Sequence, residues 1–415
     1  MPININRISS ILLILLVPSL VTGPFLPDLF LSLIGILFLI RFFVFSYDVN
    51  FINSLKKIFF IFCIFYFLIL TSSLISSDVL HSLESSFFYF RFGIFALAIP
   101  LIIQTNTKIL NHLFIFILLT FFIVSFDGIY EYINGTNLFH NKAFPGRIAG
   151  LFGDEWVIGS FLSRILPVVF FLYFINLKNL NNFYNFFFII TIIFSFVTIV
   201  LSGERAAYLY GLISLLFFII LFIKNQIFKF RFKVLLLLFI FIFISLLPFV
   251  LNKTTDRLFS NINTHTSLDL NTNYYFAYYN SAYEMFLDKP VLGHGPKSFR
   301  IICDYYKNYD NGCNIHPHNT YFQLLSEAGI LGFIFIFFFF IYISLNIIKI
   351  LFKKNITNYD SCKYSLLISM FINTFPLVPT GSFFNNWISV IYYIPIGFYL
   401  YLLVDKKHIL ENDKL

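Results

Sequence analysis

Residues 316–332, HPHNTYFQLLSEAGILG, group titratable and hydrogen-bonding side chains directly before an apolar run. Histidine changes charge near neutral pH, so His318 at a helix start is a candidate general base. Asn319, Gln323 and Glu327 follow at i, i+4 and i+8, which places them on one polar stripe. We expect an amphipathic segment on a membrane surface that leads into a span. The alternative is that His318 is an interfacial histidine bonded to a lipid or a loop.

Four arginines lie in or beside apolar segments. They are Arg91, Arg147, Arg164 and Arg205. A charge inside a membrane costs at least about 2.5–3.5 kcal/mol on insertion scales, so it usually faces a polar cavity. Guanidinium groups bind phosphate oxygens in bidentate pairs and keep their proton, which favours a shared anion site for a lipid diphosphate. Snorkelling or internal pairing is the alternative. Arg205 could pair with Glu204. Arg147 could pair with Asp154 or Glu155.

Cys303 and Cys313 flank the segment DYYKNYDNG, just upstream of the histidines. On the outer side of a membrane a disulfide is permitted, and it would staple the loop that presents the histidines. Two free thiols are the alternative. A metal site needs more ligands than a cysteine pair and one histidine, so none is expected. The stretch GHGPKSF is superficially similar to a phosphate-binding loop, but it lacks the Walker spacing and does not indicate nucleotide binding.

The elements that must position these residues are membrane helices. Of the 415 residues, 59% are hydrophobic and 12% charged, whereas soluble domains average about 45–50% apolar and about 25% charged. The predicted spans are 8–23, 29–46, 57–76, 86–104, 110–131, 155–177, 183–201, 206–223, 233–251, 329–351, 363–379 and 386–404. The sequence therefore predicts an all-α polytopic membrane protein with about 12 transmembrane helices. Gly329 and Gly332 would let the tenth span bend or pack closely.

The basic residues set the orientation of the chain. An even number of spans puts both termini on one side, and Arg7, Lys406, Lys407 and Lys414 mark that side as cytoplasmic. This rule explains most of the net charge of +8, so nucleic-acid binding is not indicated. The first apolar run lacks a clear cleavage site, so we expect an uncleaved helix rather than a signal peptide.

Three regions follow from this topology. Residues 1–251 contain nine spans and a periplasmic loop at about 132–154. Residues 252–328 form a large periplasmic loop with short helices and the catalytic motif, and residues 329–415 contain three spans and a short cytoplasmic tail.

Five motifs resemble the O-antigen ligase and O-antigen polymerase superfamily. They are LSGERAAYLYG, FLDKPVLGHGPKSF, RIAGLFGDEWVIGSFLSRILP, PTGSFFNN and, above all, HNTYFQLLSEAGILG. The resemblance implies a membrane-embedded glycosyltransferase with a glycosyltransferase-C-like fold and no metal or other cofactor. It implies a donor glycan on undecaprenyl diphosphate, in a bacterial inner membrane, with the active site on the periplasmic face.

The family's essential histidine falls on His318, and its arginine at a helix end falls on Arg205. A loop arginine of the family corresponds to Arg257. The family often has another arginine before the PxxGxG turn, where this chain reads NTNYYFAYYNSAYEMF. Either that phosphate contact is absent here, or Arg164 or Arg300 supplies it. In the implied reaction His318 takes a proton from an acceptor hydroxyl, which attacks the anomeric carbon with inversion while arginines stabilise the leaving diphosphate.

The expected donor-binding set combines these residues with the arginines that lie in or beside apolar segments. It comprises Arg91, Arg147, Arg164, Arg257, Arg300, Asn319 and Glu327. The role of Glu327 stays open, since it either orients a neighbour or closes the polar stripe.

The acceptor also stays open. A ligase would transfer the glycan to lipid A-core, and a polymerase would transfer it to another lipid-linked repeat unit; the ligase is slightly favoured. A protein O-oligosaccharyltransferase of the same superfamily is less favoured. A transporter or flippase with an arginine-lined anion path would spread polar residues through the full depth of the bilayer. The intramembrane charges instead cluster in the outer half, which favours an enzyme that faces outward among membrane lipids.

Overall fold

The structure is a computed structural model that describes residues 2–44, 49–143, 146–224 and 274–405. Within these ranges the regular structure is helical, apart from one isolated bridge between Thr136 and Lys142. The predicted span 233–251 and Arg257 lie outside the described residues.

The helices alternate between long apolar segments and short connecting ones. In chain order they are α1 (Pro2–Ser19), α2 (Phe25–Val44), α3 (Val49–Leu74), α4 (Val79–Ser86), α5 (Phe90–Thr105), α6 (Ile109–Asn134), α7 (Ile158–Asn176), α8 (Asn182–Leu201), α9 (Arg205–Lys224), α10 (Tyr274–Asp288), α11 (Phe299–Tyr306), α12 (Thr320–Leu351), α13 (Asn358–Asn373) and α14 (Asn386–Val404).

Among the described residues, ten segments are long and apolar enough to cross a membrane, which confirms the prediction of a multi-pass, all-α protein. Backbone groups in lipid must bond within their own segment, and a helix achieves this. Large apolar side chains such as Phe43 and Phe67 stay exposed on the outer helices, where lipid would cover them. α7 lies at the centre of the bundle and is buried along nearly its whole length, against α6, α9 and α13.

One predicted span differs from the structure. Residues 363–379 were expected to cross the membrane, but the helix there is α13, which has 16 residues and ends at Asn373. Its start is set by a capping box, in which Thr357 and Asp360 bond reciprocally to each other's backbone N–H. α13 is shorter than the roughly 20 residues that a span needs, and it is buried on most of its surface by other helices.

α12 bends at Gly329, as predicted, because this residue has a φ of 66° inside the helix. The bend fits against the turn that follows α10. A Cβ on Gly329 would lie 2.3 Å from the carbonyl oxygen of Val291, and one on Gly293 would lie 2.5 Å from the carbonyl carbon of Glu327. Ile330 closes the junction by donating its backbone N–H to a carbonyl of the turn. Only glycine fits at both positions.

The polar stripe of α12 is not on a surface, contrary to expectation. The side chains of Gln323 and Glu327 are 1% and 0% exposed. The segment is therefore packed inside the protein, where the start of α11 and the loop before α14 bond its side chains. The backbone N–H of Thr380, between α13 and α14, donates to the carbonyl of His318 at 2.8 Å. This contact places the loops before α12 and α14 at the same end of the bundle.

Candidate active site

The start of α12 is fixed by a side-chain cap. Asn319 Oδ1 accepts hydrogen bonds from the backbone N–H of Tyr321 at 2.9 Å and of Phe322 at 3.3 Å. Its Nδ2 donates to the carbonyl of Pro376 at 2.8 Å. Asparagine satisfies free N–H groups at a helix start, which explains its position here. Because all these bonds are internal, Asn319 acts within the protein by anchoring the residue before it.

That residue, His318, has a φ of 56°, a left-handed conformation that costs a non-glycine residue about 1–3 kcal/mol. The Asn319 cap and the bond from Thr380 to the His318 carbonyl hold it there. Strained backbone held by its surroundings is common at functional sites.

The rings of His316 and His318 lie side by side, with centroids 4.1 Å apart. A ring nitrogen of His316 bonds the carbonyl oxygen of Thr380 at 3.2 Å. Burial, followed by the charges of His318 and Arg300, lowers the pKa of His316 to about 4. Burial also lowers the pKa of His318. Both rings are therefore neutral at pH 7, and a neutral imidazole is the form that can accept a proton.

Tyrosines of α10 form the wall beside His318. The ring centroids of Tyr275 and Tyr278 lie 5.9 Å and 5.6 Å from that of His318. Tyr279, one turn after Tyr275, stacks on Phe322 of α12 at 4.6 Å with nearly parallel rings. This stack holds α10 against the start of α12. The sequence region that lacks the family's arginine therefore contributes aromatic rings to the site.

Glu327 is bonded entirely within the protein. Its Oε1 accepts from the backbone N–H of Phe299 at 3.1 Å, and its Oε2 accepts from Gln323 Nε2 at 2.9 Å. Its carbonyl accepts from Gly295 N at 2.8 Å and from Ser72 Oγ at 2.8 Å. The carboxylate thus ties the turn at residues 293–299 to α12, and the residue orients neighbours rather than facing a ligand.

The turn held by Glu327 presents two cations. Lys297 has a φ of 61° and is half-buried, and Arg300 is exposed on the first turn of α11. Burial, then the positive charge of Arg300, lowers the pKa of Lys297, against the opposing effect of Glu327. Arg300 also acts on the ring of His316. Arg300 is therefore within electrostatic range of His316, and Lys297 lies on the adjoining turn.

Lys297 was missed in the sequence because GHGPKSF lacks a Walker pattern. A lysine in a glycine-rich turn, three residues before Arg300, could have indicated a cationic site.

Arg164 lies inside the bundle and is 3% exposed. Its Nη1 donates to Asn373 Oδ1 at 2.8 Å, and its guanidinium lies 4.8 Å from the ring centroid of Tyr210. Asn373 ends α13, and the next residue accepts a hydrogen bond from Tyr321 of α12 at 2.7 Å. The loop between α13 and α14 therefore connects Arg164 to the start of α12.

Glu204 interacts with a second group of cations. Its carboxylate accepts from Gly159 N at 2.7 Å and Ser160 Oγ at 2.6 Å, so it caps the N-terminus of α7. Arg147 lies over the ring of Trp156, 5.2 Å from its centroid, and its charge acts on Glu204. Arg205 is the first residue of α9 and is exposed. Glu204 thus interacts electrostatically with Arg147 and with Arg164 of α7, and Arg205 follows it in the chain.

The remaining predicted site residues have definite contacts. Arg91 forms an ion pair with Asp28 at 2.8 Å, which is the internal pairing given as an alternative. The sulfur atoms of Cys303 and Cys313 are bonded, with Cα atoms 5.4 Å apart, so α11 is tied to the loop that leads into the histidines.

Fold and site together define a multi-pass helical membrane protein that gathers neutral histidines and cations where several loops meet. A protein-family model described as O-Antigen ligase matches residues 190–337, a range that includes Arg205, Arg300, His318 and Glu327. This match supports the O-antigen ligase superfamily predicted from the motifs, whose members are glycosyltransferase-like ligases. A search of curated proteins gave no match.

Proposed function

We propose that the protein transfers a glycan from undecaprenyl diphosphate to a sugar hydroxyl, with His318 as the general base. The observation that carries the proposal is a half-buried histidine in a strained, doubly anchored backbone, inside the segment that matches the ligase family. Its lowered pKa keeps the ring in the proton-accepting form.

In the proposed reaction His318 removes the proton of the acceptor hydroxyl as its oxygen attacks the anomeric carbon of the donor sugar. The bond from that carbon to the diphosphate breaks, and direct displacement inverts the configuration. Negative charge grows on the leaving diphosphate, so cations that are already in place stabilise the transition state more than the ground state. Arg300, whose charge acts on the His316 ring, and Lys297 on the adjoining turn are proposed for this role.

The other arginines fall into two groups, one proposed to bind the donor and one proposed to position other residues. Arg205 is exposed at the start of α9 and is proposed to bind the donor diphosphate together with Arg147. Arg164 already donates to Asn373, and Arg91 is paired with Asp28, so positioning roles are favoured for these two.

The proposed setting is a bacterial inner membrane, with both termini cytoplasmic and the histidines on the periplasmic face. Lipid A-core is the proposed acceptor. A deletion strain read on a lipopolysaccharide gel tests this choice. Loss of all long chains, with polymer accumulating on the lipid carrier, is the ligase result; core carrying one repeat unit would assign the protein to the polymerases instead.

The base assignment is tested with purified protein and a lipid-diphosphate donor. We expect His318→Ala to lower kcat by about 10²–10⁴-fold, the range that general acid–base catalysis contributes. The matched control is His112→Ala, which removes an exposed histidine from the first turn of α6 and should leave kcat unchanged. Full turnover by His318→Ala would show that His318 is not the general base.

A further inference from the structure

The aromatic wall beside His318 is open to solvent on one side. Tyr275 is 43% exposed while its ring stands nearly perpendicular to that of His318, with an interplanar angle of 82°. Tyr278 is half-buried and its hydroxyl accepts a hydrogen bond from Asn314 Nδ2 at 3.0 Å. Tyr278 is therefore held by the protein, whereas Tyr275 presents free ring surface beside the histidine.

The position of this surface is fixed. Tyr275, Tyr278 and Tyr279 lie at i, i+3 and i+4 on one face of α10, and the stack of Tyr279 on Phe322 sets the rotation of that face. An exposed tyrosine on a rigid helix offers a flat apolar ring with a polar edge and loses little conformational entropy on binding. A sugar ring has the complementary form, with an apolar C–H face and polar hydroxyls at its rim.

We propose that Tyr275 binds the acceptor sugar and sets acceptor specificity. The inference rests on the proposed function, because it is the role of His318 that identifies the occupant. A base must touch the acceptor hydroxyl, so a ring that flanks the base flanks the acceptor sugar. The cations suited to the donor diphosphate, Lys297 and Arg300, come from the turn after α10 and from α11 rather than from this face.

The test uses the full-length protein with separate titrations of donor and of a soluble acceptor glycan. The variants are Tyr275→Ala, Tyr275→Phe and Tyr275→Trp. The matched control is Tyr283→Ala, which removes a tyrosine of the same helix with a similar exposure of 45%. We expect the acceptor KM of Tyr275→Ala to rise about tenfold or more, which corresponds to about 1.4 kcal/mol of lost acceptor binding.

The donor KM and the acid limb of the pH–rate profile should stay at wild-type values in Tyr275→Ala. Tyr275→Phe and Tyr275→Trp should keep an acceptor KM near that of the wild type, because each retains a flat ring. The proposal is overturned if Tyr275→Ala behaves like Tyr283→Ala, or if it raises the donor KM instead. A shifted acid limb with an unchanged acceptor KM would also overturn it, since Tyr275 would then only orient His318.

Failure of the proposed function is read separately in the same assay. It appears as undiminished kcat in His318→Ala, whatever the acceptor KM of the tyrosine variants.

Discussion

Loss of the Glu327 carboxylate should damage the site although the group faces no ligand. Its oxygens accept hydrogen bonds from Phe299 N and Gln323 Nε2, and the side chain is 0% exposed. Glu327→Ala leaves the Phe299 N–H and one N–H of Gln323 Nε2 without acceptors, while the other N–H of that amide stays bonded to Ser382 Oγ. At about 1–3 kcal/mol for each unpaired N–H, the expected loss is about 2–6 kcal/mol of unfolding free energy. Glu327→Gln keeps the volume and one acceptor oxygen, so its loss should be about 1–3 kcal/mol.

The assay is thermal unfolding of the purified protein in one detergent, combined with transfer kinetics. Both variants should unfold at lower temperature, and the decrease should be larger for alanine than for glutamine. Transfer should fall as well, because the turn with Lys297 and the first turn of α11 lose their anchor. Glu155→Ala, which removes an exposed carboxylate, is the control and should leave both readouts unchanged. Unfolding of Glu327→Ala at the wild-type temperature, or equal damage from glutamine and alanine, would show that the carboxylate bonds do not stabilise this region.

Two further predictions concern titration and the disulfide. Because burial lowers the pKa of His318, its ring stays neutral below pH 6.5, and kcat should fall only as the pH drops through the lowered pKa; an acid limb centred at or above pH 6.5 would contradict this. The bond between Cys303 and Cys313 closes a short loop, so reductant should remove about 2–4 kcal/mol of unfolding free energy from the wild type. The unfolding temperature should fall accordingly. A Cys303→Ser, Cys313→Ser double variant should not respond to reductant, whereas Cys63→Ser should respond like the wild type.

Most of the helical plan follows from hydropathy, because a segment that faces lipid must be apolar along its whole length. The exception is instructive. α13 contains Asp360, Ser365 and Ser369, all of them buried, and hydropathy places the span too late for that reason. These side chains are satisfied inside the protein: Ser365 bonds its own helix, and Ser369 donates to the carbonyl of Arg164. A helix enclosed by other helices need not be apolar, and one sequence does not reveal which helices are enclosed.

The site was predictable where it depends on local chemistry. The asparagine cap and the glycine bend follow from the local sequence, and the family resemblance singled out His318 as the candidate base. The sequence did not show that the polar stripe faces the protein interior. Gln323 and Glu327 accept hydrogen bonds from the backbone of Phe383 and Phe299, which are distant in the chain. The position of Tyr275 beside His318 was hidden for a similar reason, since α10 reaches His318 only through tertiary packing.

The fit between the α12 bend and the preceding turn has a consequence for recombining this protein with its relatives. At Gly293 and Gly329 each backbone occupies the space where a side chain on the other would be. Exchanging only the extramembrane segment, or only the following span, would pair surfaces that did not evolve together. Chimeras designed to change the acceptor should therefore move residues 290–299 and 323–332 as one unit and place their crossovers outside both.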